Sequence, residues 1–355
     1  MKQIYFVIAF LIYQQSLAQS PDSLLLKDYQ PVSIYSIPKT QIEQPMWPVI
    51  DIHSHPYAKS EKEINQWVNT MDQMGIDKTI VLTMTTGSAF DSLVQAYSKY
   101  PKRFELWCGI DFTGYNEKDW SQKAIAELER CHAIGAKGIG ELGDKGQGLL
   151  YSKPTPAPGL HVHDPRLQPV LKRCGELGMP VNIHVAEPKW MYEPMNKHND
   201  GLMNGFKWRI DTTQTSLDHQ GLIKSLEQAV ANNPQTTFIA CHFANCGFDL
   251  SILSSLLDSY PNLYADISAR FGETASIPRY MLQFYQKHQD RLLFGTDMGM
   301  DPEMYQLIFR ILESKDEHFY SPYYANYHWP LHGFGLPKNV LKKLYYENAQ
   351  KLLSL

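Results

Sequence analysis

The chain has 355 residues, a formal net charge of −4, 43% hydrophobic and 20% charged side chains. That balance describes a soluble globular protein with material for a sizeable core, and one (β/α)8 barrel with long loops accounts for the length as a single domain. Lys and Arg are scattered rather than gathered into a stripe, so a nucleic-acid partner has no electrostatic support.

Residues 1–18 combine an early Lys2, an apolar stretch from Ile4 to Tyr13 and Ser16-Leu17-Ala18 as a small-x-small cleavage site. This is the pattern of a secretory signal peptide. The run is too short for a stable bilayer anchor, and no cysteine follows the cleavage site to carry a lipid. The expectation is a secreted or periplasmic protein with no integral membrane segment in the mature chain, an extension over 19–47 and a barrel domain over 48–355. Export permits disulfides, but Cys108, Cys131, Cys174, Cys241 and Cys246 are odd in number and lack a framework spacing, so buried thiols are expected.

The first strand, 49–55, ends in His53-Ser54-His55. Side chains at i and i+2 share a face of a strand, so both imidazoles can grip one ion. A helix over 61–74, a strand over 79–84, a helix over 89–100 and a strand over 104–112 follow. The next helix, 121–134, stops at Gly135. Strand four, 136–142, places Lys137 and Glu141 on one face, with Glu141 nearer the C-terminal end. Lys137 is expected at the barrel's base, buried or paired with an acid.

The connection 143–164 is rich in Gly and Pro and contains His161 and His163 without a supporting strand, which suggests exposed or lid residues. Helix four is expected over 165–177, with Asp164 as N-cap, Pro165 in the first helical position and Gly178 as the stop. Strand five, 180–184, ends in His184. A second long connection, 187–220, carries Trp190, Tyr192, Trp208 and Arg209; such loops at strand C-termini form lids or substrate walls, and Trp190 is the substrate-binding candidate there.

A helix over 222–232 leads to strand six, 237–242, ending in His242. Cys241 beside it faces the opposite side and is not read as half of a nucleophile pair. Strand seven, 263–267, follows a helix over 250–259; its Asp266 either orients His242 or binds backbone amides. Just beyond, Arg270 either clamps a substrate carboxylate or forms a surface salt bridge. A helix over 277–288 precedes strand eight, 292–297, which ends in Asp297. His328 and His332 lie in an aromatic C-terminal loop that either covers the site or packs peripherally. In parallel barrels the chemistry sits at these C-terminal strand ends.

The order His-x-His on strand one, His on strands five and six, and Asp on strand eight resembles the metal signature of the amidohydrolase superfamily. Within it the chain is most similar to the amidohydrolase-related (amidohydrolase 2) branch that also holds aminocarboxymuconate semialdehyde decarboxylase. Residues 335–349 resemble that branch's closing helix, and the likeness runs from Pro48 to the end. It implies that His53, His55 and His184 are metal ligands, Asp297 a ligand or the general base, and His242 a second ligand or an acid/base. Gly138-Ile139-Gly140-Glu141 resembles the strand of the metal-dependent deoxyribonuclease branch in which glutamate bridges two metals; Glu141 either ligates or orients a ligand histidine.

Nitrogen-rich ligation with carboxylate suits zinc, as one or two divalent ions. With the N-terminal leader, the resemblance leads to an exported hydrolase in which a metal-bound hydroxide attacks an ester, lactone or amide of a small molecule, with Asp297 moving the proton. The alternative is a metal-dependent decarboxylase of a small cyclic or aromatic carboxylic acid, with which Arg270 is compatible. A non-catalytic metal-binding barrel is a third reading. The expected partners are a small-molecule substrate and, as an option, further copies of the chain in a homo-oligomer.

Overall fold

The computed structural model describes residues 20–146, 149–151, 156–321 and 328–353. The signal-peptide expectation for 1–18 lies outside the described residues. The strands are β1 (Val49–Ser54), β2 (Ile76–Leu82), β3 (Phe104–Trp107), β4 (Ile139–Asp144), β5 (Leu149–Tyr151), β6 (Ala157–Pro158), β7 (Val181–Val185), β8 (Phe238–Ala240), β9 (Leu263–Asp266) and β10 (Leu292–Leu293). Parallel pairing runs β1-β2-β3 and β10-β9-β8-β7-β4, while β5 and β6 form an antiparallel appendage on β4.

Backbone hydrogen bonds join the two sheets at both seams. Cys108 N donates to Gly138 O at 3.0 Å and Gly140 N to Cys108 O at 2.9 Å; Ile52 N donates to Phe294 O at 3.0 Å and Thr296 N to His53 O at 3.2 Å. Eight parallel strands thus form a TIM barrel. Its strands are largely buried, β1, β4 and β7 at every residue, as expected for parallel strands covered by helices on the outside and packed side chains within. Ile50, Ile52, Ile80, Leu82, Trp107, Ile239 and Leu293 cluster with Ala349 of the closing helix Asn348–Leu353. That helix is anchored by Asn348 Nδ2, which donates to Gln289 O at 2.7 Å and Leu292 O at 2.8 Å.

Several expectations shift. Helix four spans Gln168–Glu176 with Leu167 as its cap, because the Asp164 carboxylate accepts from Arg166 N and Nε, each at 2.9 Å, and is not available to cap. Gly135 and Gly178 take the positive φ expected of helix stops. Lys137 is exposed rather than buried or acid-paired. A helix over Pro302–Glu313 follows β10 and was not anticipated. Its signal was present in Asp301-Pro302-Glu303: Asp301 accepts from Met304 N at 3.0 Å as N-cap, with Pro in the first turn. All five cysteines are free and buried, and among the described residues no helix is long and apolar enough to cross a membrane.

Candidate metal centre

Residues His53, His55, Glu141, His184, His242 and Asp297 converge at the C-terminal strand ends. Strands β8 and β10 are shorter than the sequence suggests, so His242 and Asp297 stand on turns beyond them, with φ of 59° and 54°. Such left-handed backbone costs energy for residues with a Cβ and persists where surrounding contacts over-determine it. Those contacts are visible: Asp297 N donates to His53 O at 2.8 Å and His242 N to Asp266 Oδ1 at 2.8 Å.

Buried acceptors set the direction of three imidazoles. His53 Nδ1 donates to Asp266 Oδ2 at 2.8 Å, His55 Nδ1 to Leu82 O at 2.9 Å, and His242 Nδ1 to Ser268 O at 2.9 Å. The Nε2 atoms of all three are left to face the carboxylates. Asp297 Oδ1 lies 3.7 Å from His53 Nε2 and 3.1 Å from His55 Nε2, and its Oδ2 lies 3.8 Å from His242 Nε2. Glu141 sits between the rings, 3.5 Å from both His55 Nε2 and His242 Nε2.

Two ligand groupings result, His53 with His55 and Asp297, and His53 with Glu141, Cys241 and His242. Cys241 is a poor member, since burial pushes its thiol well above the usual range and Sγ donates to Asn182 Oδ1 at 2.7 Å. His184 joins neither grouping. Its Nδ1 is 2.5 Å from Glu141 Oε1, and its Nε2 faces Glu187 Oε1 at 3.6 Å. Of the two roles open to Glu141, this contact is the orienting one. The donor set fits a divalent ion: His53 Nε2 and His184 Nε2 are buried without a hydrogen-bond partner, which is costly unless something else engages them.

Electrostatics follow from this crowding. Asp297, despite burial, is held down to about 2 by His53, His55 and His242. Against burial, Asp297 and Glu141 push His55 up to about 10, and Glu141 with Glu187 pushes His184 up to about 9. Burial and the nearby His184 lower His242. Asp266 lies far below the usual carboxylate range: His53 and His242, with the Ser268 hydrogen bond, outweigh its burial. Asp51 reaches about 7 through burial, although it accepts from Thr296 Oγ1 at 2.7 Å and Thr296 N at 3.0 Å.

Arg270 is enclosed rather than a surface salt bridge. Its Nε donates to Asn245 Oδ1 at 2.9 Å, and the guanidinium faces Glu187 at 3.7 Å and Glu273 at 3.6 Å. Glu187 also pairs with Lys145. A guanidinium between two carboxylates is poorly placed to accept a third from substrate. Trp190 does not reach the histidines; it lines an adjacent cavity with Glu273 and Phe248, and Trp329 of the C-terminal loop packs 6.2 Å from it.

The pair His161 and His163 is structural rather than exposed. His161 Nδ1 lies 3.0 Å from Asp144 Oδ2 and its Nε2 2.9 Å from Ser216 Oγ, which ties the two long connections together; His163 Nδ1 meets Ser225 Oγ at 2.7 Å. His332 Nδ1 rests 3.2 Å from Ala275 O. Sequence reasoning missed Glu187, Asn245, Glu273 and Tyr57, whose hydroxyl stands 3.4 Å from Asp297 Oδ1. Tyr57, Glu187 and Asn245 each lie within three residues of a ligand-type histidine, the one signal that could have drawn attention to them.

The amidohydrolase family model matches residues 50–355. Among curated proteins nothing matches the chain. Solved structures are similar at low identity: a 2,6-dihydroxybenzoate decarboxylase from Rhizobium at 16%, with TM-score 0.53 and 87% of this chain and 99% of that chain covered. A putative amidohydrolase from Staphylococcus aureus is 16% identical, with TM-score 0.56 and 86% and 99% covered. A 5-carboxyvanillate decarboxylase from Novosphingobium aromaticivorans, complexed with manganese, is 15% identical, with TM-score 0.53 and 87% and 97% covered. With the ring of eight parallel strands and the converging histidines and carboxylates, the match across most of its length shows that the chain belongs to the amidohydrolase family.

Proposed function

We propose that this protein is an exported, zinc-dependent hydrolase that cleaves an ester, lactone or amide bond of a small molecule. The observation that carries this reading is Asp297, a carboxylate with 22% side-chain exposure, 3.1–3.8 Å from three histidine Nε2 atoms and held ionised by them. His53, His55, His184, His242 and Asp297 would hold the ion, with Glu141 beside it. When bound, the metal polarises the substrate carbonyl and makes water more acidic.

Asp297 takes a proton from the attacking water and delivers it to the leaving oxygen or nitrogen as the C–O or C–N bond breaks. Asp266 holds His53 in the tautomer that leaves Nε2 free. The enclosed Arg270 supports hydrolysis over decarboxylation, because its charge is already matched by Glu187 and Glu273.

Decarboxylation is the second reading. Glu141 is engaged with His184 Nδ1, which weakens the case for a carboxylate bridging two metals, and five of the similar folds bear decarboxylase names. The deciding experiment loads the protein with zinc or manganese and offers lactones, esters, amides and aromatic carboxylic acids. Acid release without carbon dioxide supports hydrolysis; carbon dioxide overturns it. Metal analysis of a His53→Ala/His55→Ala double variant tests the centre, and full metal retention would sink the assignment. Export is tested by the N-terminus of the mature protein, expected after Ala18.

A further inference from the structure

Beyond β8 the backbone is left-handed at four consecutive residues, His242, Phe243, Ala244 and Asn245, with φ of 59°, 55°, 53° and 53°. L-residues visit this region singly, Asn and Asp most readily, because a Cβ crowds the following carbonyl oxygen; for a bulky residue such as Phe243 it is a clear outlier. A run of four persists only where its surroundings hold it. All four residues are buried and the run begins at His242, so whatever holds the turn also aims one of the converging imidazoles.

The start of the turn is held by His242 N, which donates to Asp266 Oδ1 at 2.8 Å, and its middle by Phe243, whose ring lies edge-on to Phe284 and Tyr285, each at 6.0 Å between centroids. Its end is held by Asn245. Asn245 Nδ2 donates to Val185 O at 3.0 Å and Ala186 O at 3.1 Å, the two carbonyls that follow His184. Its Oδ1 accepts from Arg270 Nε at 2.9 Å and Nη2 at 2.5 Å, and Arg270 Nη1 donates to Ala269 O at 3.1 Å. One amide thus joins the strand end of His184 to the turn of His242, whose rings stand 4.6 Å apart between centroids with their planes at 77°. Ala186 and Ala269 are themselves left-handed, with φ of 60° and 53°, so three strand ends meet here in backbone conformations that depend on mutual contacts.

We propose that Asn245, gripped by the Arg270 fork, is a positioning residue of the metal centre. Its amide latches the left-handed turn 242–245 to the backbone after His184 and so fixes the two imidazoles relative to each other before an ion arrives. Arg270 acts through Asn245 rather than on substrate: its planar fork holds Oδ1 and thereby turns Nδ2 toward the two carbonyls. The latch rests on His184 and His242 both facing the ion, as in the function proposed above, and not on which bond the centre cleaves.

Cobalt(II) is the probe, because its visible absorption bands report the arrangement of its ligands. Asn245→Gly keeps a residue that accepts left-handed backbone and removes the latch. Its cobalt affinity, read against a competing chelator, should fall by about 10–100-fold, and the bands of the folded, cobalt-saturated variant should shift. Arg270→Lys keeps the charge beside Glu187 and Glu273 but loses the fork, and should shift the bands in the same direction by less; it carries the test if Asn245→Gly does not fold. His163→Ala, which gives up the contact with Ser225, should lower the melting temperature without moving the bands or the affinity. Wild-type affinity and unchanged bands in the folded variants, or an equal shift in His163→Ala, would overturn the latch. A wild type that takes up no cobalt would overturn the metal centre itself, and the latch with it.

Discussion

The metal mouth and the cavity beside it are both built around buried carboxylates, and they differ in how those carboxylates are satisfied. At the mouth, Asp266 accepts from His53 Nδ1, His242 N, Ser268 N and Ser268 Oγ. Beside it, Glu273 Oε2 has no hydrogen-bond donor and faces Arg270 Nε at 3.6 Å. The first arrangement is rigid before any ligand arrives, because each ring nitrogen that does not face the ion is already committed. The second rests on the longer ion pair with Arg270. Burial raises both carboxyls, but His53, His242 and Ser268 outweigh it at Asp266, which lies far below the usual carboxylate range, whereas Glu273 is raised to about 7.

The largest effect expected of a single substitution is at the mouth. Asp297→Asn keeps the shape and removes the base, so turnover of a responsive ester or lactone should fall by about 10²–10⁴-fold with an unchanged melting temperature. A variant as active as the wild type would end the proton-transfer role. Next comes Asp266→Asn, which disturbs the acceptor shared by His53, His242 and Ser268 without touching the ion. Metal affinity, measured by competition with a chelator, should fall by about 10–100-fold; unchanged affinity would show that these acceptors do not pre-orient the rings.

Glu273 sharpens the contrast through pH. Its carboxyl is raised from 4.5 to about 7 by burial and by Glu187, against the attraction of Arg270. The folded state therefore binds a proton that the unfolded chain releases, a contribution present below 4.5 and lost as pH rises through about 7. Glu273→Gln removes that loss. The variant should melt higher relative to the wild type in alkaline than in mildly acidic buffer, and a difference that does not change with pH would refute the raised value. The smallest effect belongs to His161→Ala, which frees Asp144 and Ser216 from each other. It should cost about 1 kcal/mol and expose the 187–220 connection to proteolysis; equal protease resistance would show that the two loops hold without this contact.

Much of the framework was legible because it is local. Apolar runs of strand length, Gly135 and Gly178 as helix stops, and a ligand-type residue after each of four strands are properties of short segments, and their order carries the barrel and its family. The helix Pro302–Glu313 was equally local, in its Asp301 cap, and was overlooked. Lys137 went wrong for a different reason: the face it takes depends on where β4 begins, at Ile139 rather than at 136.

The sequence by itself determined which residue types arrive at the mouth and in what order. Only the tertiary structure decided which nitrogen of each histidine is free, that Glu141 meets His184, and that Arg270 lies between Glu187 and Glu273 instead of open to substrate. These are choices among hydrogen-bond partners brought together from different βα units. A buried polar group takes the acceptor that packing leaves within about 3 Å, and no local pattern in the chain encodes that distance.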